Sequence, residues 1–76
     1  MGCMSDLEKL SIQLSYWIKH NLEHAQEFRD WAVRAEASGF AEVASKLEGA
    51  ARETENLNRH LEGALDLISH SGEFKR

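Results

Sequence analysis

Apolar residues recur along this chain at the three- and four-residue spacing of a single helix face, in two runs separated by a short break. With Leu7 placed at heptad position a, that position holds Leu7, Leu14, Asn21, Phe28 and Ala35. Position d holds Leu10, Trp17, His24 and Trp31, and position e adds Ile18, Ala25 and Ala32. One broad stripe over roughly 33 residues predicts a helix about 50 Å long. Ser5-x-x-Glu8 reads as its capping box, each side chain satisfying a backbone N–H that the first turn leaves open. Ser38-Gly39 ends the run. Gly39 can adopt the left-handed conformation past the last turn, and Phe40 can fold back onto Ala35 as in a Schellman stop.

The pattern restarts at once. Position a now holds Phe40, Leu47, Thr54, Leu61 and Ile68; d holds Val43, Ala50, Leu57 and Ala64; e holds Ala44, Ala51, Asn58 and Leu65. The prediction is an all-α fold, an antiparallel two-helix hairpin over 5–70. It has one helix over 5–38, a turn at 38–40 and a second helix over 40–69, with 1–4 and 71–76 as loose termini. Asp30–Arg34, Glu42–Lys46, Glu48–Arg52 and Glu55–Arg59 are acid-before-base pairs at i,i+4, which suit solvated outer faces. Gly49 and Gly63 inside the second helix leave two readings open, a close helix approach or no role.

Two helices cannot enclose stripes that carry Trp17, Phe28, Trp31 and Leu61. Each large side chain left wet forgoes roughly 1.5–3 kcal/mol of burial. A second hairpin across the stripe removes that cost, so the chain is expected to dimerise into a four-helix bundle with Trp17 and Trp31 buried at the helix interface.

Composition narrows the function classes. The 76 residues hold one cysteine, Cys3, so no internal disulfide can brace so small a domain. A lone thiol without a secretory signal predicts a cytoplasmic setting. Nine basic and 13 acidic residues, spread along the chain with a net charge of −4, provide no basic stripe for nucleic acid and no attraction to an anionic membrane. No run of apolar residues is long enough to span a bilayer.

The candidate chemistry lies where the stripe turns polar. Asn21, His24, Thr54 and Asn58 fall at one level of the hairpin, Asn21 near Leu57 and Asn58, and His24 near Thr54. Such a layer can fix register and oligomeric state. The flanks add a sharper alternative. His20, His24 and Glu27 project from one side of the first helix, and Glu53 and His60 share the g position with His20 and Glu27. In an antiparallel pair g faces g, so three imidazoles and two carboxylates would line one seam, a donor set suited to zinc, nickel, cobalt or iron. The Glu-x-x-His pairs of di-iron bundles and the His-Glu-x-x-His of zinc proteases are both missing. No nucleophile constellation or phosphate loop is present, so an enzyme is not expected.

The stretch Trp17-Ile18-x-His20-Asn21-x-x-His24-x-x-x-Phe28-x-x-Trp31-Ala32 resembles a short prokaryotic helical-hairpin family of unknown function, some members of which stand near cobalt- and nickel-handling proteins. The resemblance covers about a fifth of the chain and implies a role for His20 and His24. The leading expectation is a small non-enzymatic structural or interaction module, its own partner in a homodimer and without a cofactor. The first alternative is a divalent metal-binding module using His20, His24, Glu27, Glu53 and His60. The second is an adaptor hairpin that completes another helical protein's bundle.

Overall fold

A computed structural model describes residues 5–70. Cys3 and the expected loose termini at 1–4 and 71–76 lie outside the described residues. Two helices, α1 (Asp6–Ala37) and α2 (Ala41–Ser69), pack against each other as a hairpin. At the start of α1 the Glu8 N–H donates to Ser5 Oγ at 3.1 Å, and the Ser5 N–H donates to Glu8 Oε1 at 3.0 Å, so the capping box is closed. At its end Gly39 takes φ +89°. The Gly39 N–H donates to the Glu36 carbonyl at 3.0 Å and the Phe40 N–H to the Ala35 carbonyl at 2.9 Å. These are the two bonds of a Schellman stop, and they reverse the chain with no wasted residue. Among the described residues no helix is long and apolar enough to cross a membrane.

The seam between the helices is narrower than the stripe. The buried residues are Leu14, Ala25 and Ala32 on α1, with Ala44, Ala51, Asn58 and Ile68 on α2. All of these fall at a or e. Alanine at e on both helices lets the backbones approach closely, and the d positions are rotated out to one flank as a result. The expectation that Trp17 and Trp31 are buried at the helix interface therefore does not hold within one hairpin. Both indoles stand on the d flank, half in solvent, because a seam that tight has no room for them. The rod measures 57 × 21 × 15 Å with a radius of gyration of 17.2 Å, against about 11 Å for a compact globule of this length.

The polar layer forms with fewer members. Asn21 Nδ2 donates to Asn58 Oδ1 at 2.9 Å, and Asn58 Nδ2 donates to the Ile18 carbonyl at 3.0 Å. Thr54 instead turns its hydroxyl back to the Ala50 carbonyl of its own helix, and His24 stands outside the seam. Asn21→Leu should cost about 1–3 kcal/mol, because it strands the buried Asn58 oxygen. Replacing both asparagines by Leu should recover that loss but yield mixed oligomers, since a uniform apolar seam specifies register poorly. Urea unfolding with solution mass checks both, and an Asn21→Leu protein as stable as wild type would remove the argument.

The two open readings of the helical glycines are separated by geometry. A Cβ built on Gly49 or Gly63 meets nothing within 4 Å, so neither residue serves a close approach. Gly49→Ala and Gly63→Ala should each raise stability by about 1 kcal/mol. A thermal melt showing a loss at either position would mean that a contact is being blocked.

Candidate functional site

The a/e seam gives the hairpin two unlike flanks. Positions b lie on one side of it and positions d and g on the other. The b flank is closed by charge. Arg29 grips Glu55 with both terminal nitrogens, Nη1 to Oε2 at 2.5 Å and Nη2 to Oε1 at 3.0 Å, and its Nε lies 3.8 Å from Glu48. Sequence reasoning missed this clamp. Its signal was present as opposite charges at b on both helices, visible once the seam is set at a and e. None of the four i,i+4 pairs expected on the outer faces comes within ion-pair distance among the described residues. Gln26 holds Asp30, Arg59 turns to Asn56, and Arg34 lies over the Trp31 ring at 4.5 Å.

The Arg29 hydrogen bonds hold the Glu55 carboxyl below the usual carboxylate range, against a smaller opposing push from partial burial. The charges of Arg29 and Arg59 add to the lowering. Because the folded value is depressed, the stabilisation is present above the unfolded value of about 4.3 and is lost as pH falls through the folded one. Urea midpoints of wild type and Glu55→Gln should therefore differ near neutral pH and converge in acid. A gap that persists at about pH 2 would exclude the clamp as its source.

The d flank is apolar and open. Leu10 is 40% exposed, Trp17 41%, Trp31 58%, Val43 52% and Leu57 49%. Near the turn Trp31, Ala35, Phe40, Val43 and Leu47 border a shallow apolar depression. The expected site residues stand along the same flank. His20 and His24 meet, Nε2 to Nε2 at 3.1 Å, and His24 Nδ1 lies 3.3 Å from Glu27. Glu53 and His60 line a separate depression on α2 with Leu57. The hairpin thus brings three of the five together on α1 and leaves two on α2. Among the described residues no group of three or more His, Cys, Asp or Glu side chains is placed to hold a metal ion. Of the aromatic neighbours of the histidines, Phe28 was read as part of the apolar stripe and Tyr16 was not singled out, although the spacing 16, 20, 24, 28 puts all four on one helical row.

A family model for a domain of unknown function (DUF8180) matches residues 10–68. The chain belongs to this family. The match runs through both helices, so the DUF8180 unit is the hairpin itself, with both flanks included. An uncharacterized protein of Archaeoglobus fulgidus is 32% identical over 62 residues, which cover 82% of this chain and 98% of that protein. No solved structure matches the chain. A family of unknown function agrees with the resemblance drawn from Trp17 to Ala32.

Proposed function

We propose that this DUF8180 protein is a small, non-enzymatic helical module of the cytoplasm whose working form is two hairpins packed flank to flank in a four-helix bundle. The observation that carries this reading is the row of large apolar side chains on the d flank, which the hairpin's own seam does not use. Four of the six buried apolar residues among those described are alanines, so the single hairpin has a thin core. Each half-exposed large side chain leaves about 1 kcal/mol of burial unrealised.

The flank is complementary to itself. Its α1 row is large (Leu10, Trp17, His24, Trp31) and its α2 row is slimmer (Val43, Ala50, Leu57, Ala64). A two-fold axis parallel to the helices sets each α1 row on the α2 row of the other copy, large on small and antiparallel. The Asn21–Asn58 bond fixes which levels coincide. Counting outward from it, Trp17 stands level with Ala64 and Trp31 with Ala50, to within about half a helical turn.

Light scattering across the micromolar range tests the reading. A folded protein of twice the 8.6 kDa chain mass is expected. A folded monomer would overturn it and favour an adaptor that completes another protein's bundle.

A further inference from the structure

Two of the histidines stand ring nitrogen to ring nitrogen. Their rings meet edge to face with centroids 4.5 Å apart. Tyr16 stacks on His20 at 5.4 Å and Phe28 on His24 at 6.2 Å, so both rings are bracketed. On the far side of each ring stands a carboxylate, Glu27 at 3.3 Å from His24 Nδ1 and Glu23 at 4.0 Å from His20 Nδ1. A carboxylate accepts and does not donate, so Glu27 beside His24 Nδ1 would favour the tautomer that carries its hydrogen there and leaves a lone pair on Nε2. The two Nε2 atoms stand 3.1 Å apart, a spacing that an N–H of one ring donating to the other satisfies and that two nitrogens bound to one cation would also fit. Nitrogens bound to one ion at about 2.0–2.1 Å, at angles from octahedral to tetrahedral, stand about 2.8–3.4 Å apart. A carboxylate behind a ligating imidazole is also the usual means of fixing its tautomer.

Two side chains do not complete a metal site, and among the described residues no third donor joins them. Two further donor side chains stand on α2. Glu53 and His60 border one depression with Leu57, on the same flank. The a/e seam keeps them from His20 and His24 inside one hairpin, because it turns the g positions of both helices outward. Docking α1 of one copy along d against α2 of the other makes those g positions border a single edge. By the Asn21–Asn58 level, His20 then comes opposite His60 of the partner subunit, and Glu27 opposite Glu53 of the partner subunit. Imidazole faces imidazole and carboxylate faces carboxylate, an edge that a divalent cation would convert from repulsive to cohesive. Towards the turn Arg34 would approach Lys46 of the partner subunit, and Arg34 is drawn aside onto Trp31.

We propose that this edge is a transition-metal site closed in trans, with His20 and His24 of one protomer completed by His60 and Glu53 of the partner subunit. Glu27 acts as a positioning residue behind His24. Imidazole with carboxylate selects a first-row divalent ion such as zinc or nickel over calcium or magnesium, which take oxygen donors. Symmetry gives two sites per dimer, hence one ion per chain. The inference rests on the flank-to-flank dimer proposed above.

Calorimetric titration of the metal-free full chain with zinc chloride and with nickel chloride, alongside mass in solution, tests it. Wild type should bind one ion per chain, and the ion should raise its melting temperature, since a ligand that prefers the native dimer stabilises it. His24→Ala and His60→Ala should each weaken binding by more than about tenfold. His70→Ala, a change at the end of α2, should bind as wild type does. The two weakened variants, mixed and allowed to exchange subunits, should regain one tight site per heterodimer, because one edge then pairs an intact α1 with an intact α2. A His60→Ala protein that binds like wild type, or a mixture that regains nothing, would overturn closure in trans. A dimer that binds no metal would overturn this inference alone, whereas a monomer with and without metal would overturn the dimer as well.

Discussion

Trp31→Ala should dissociate the proposed dimer into hairpins that keep their helices. Removing a buried tryptophan side chain typically costs about 3–5 kcal/mol. In this chain part of the indole already rests on its own hairpin, beside Arg34, Val43 and Leu47. The share realised at the interface is therefore about 2 kcal/mol per copy, and two-fold symmetry counts it twice. The dimer dissociation constant should rise on the order of a thousandfold. Sedimentation equilibrium measures that shift directly, and circular dichroism at matched concentration shows whether the hairpin is retained. The contrast with Val33→Ala is informative. Val33 is more exposed than Trp31 but sits on the outer face, away from the d flank, so its removal should leave the association unchanged. If the Trp31→Ala protein sediments as wild type does, the d flank is not the interface and the docking of α1 on α2 of the other copy falls with it.

The same residues show how far the sequence could be read. The helices, the antiparallel turn and both of its caps follow from local rules. A capping box, a glycine past the last turn and a three-four apolar spacing each depend on a few neighbouring residues, and Ser5, Glu8, Gly39 and Phe40 make the expected bonds. The Asn21–Asn58 contact was legible for a similar reason, since a short turn fixes which levels meet. The choice of seam was not legible. A heptad with apolar residues at a, d and e admits either an a/d or an a/e contact, and the period alone does not decide between them. Packing decides. Alanine at e in both helices allows a closer approach than tryptophan at d permits, so the hairpin turns its small side inward. Several misplacements follow from that one rotation. Trp17 and Trp31 move to the flank, His24 leaves the polar layer, the g residues no longer face each other within a chain, and Arg29 finds Glu48 and Glu55 across the b flank.

If closeness at the alanines sets the seam, filling them should be severe. Ala51 is fully buried and Ala32 nearly so, on opposite helices of the seam. A leucine at either position adds volume where the backbones leave none, and overpacking of this kind typically costs about 1–3 kcal/mol per site. The two positions lie at different levels, so the losses should roughly add in the Ala32→Leu/Ala51→Leu double variant, to about 2–6 kcal/mol. Relief by rotation about the helix axes is blocked on both sides, because turning d inward would tear Arg29 from Glu55 and separate Asn21 from Asn58. The double variant should therefore unfold at far lower urea than wild type and lose the Asn21–Asn58 bond. The ordinary expectation for leucine at heptad core positions is the reverse, since it raises helix propensity over most residues and adds apolar area. Urea unfolding followed by circular dichroism separates the two outcomes. A double variant more stable than wild type would mean that the helices stand farther apart than an alanine seam allows, with room for the indoles of Trp17 and Trp31 between them.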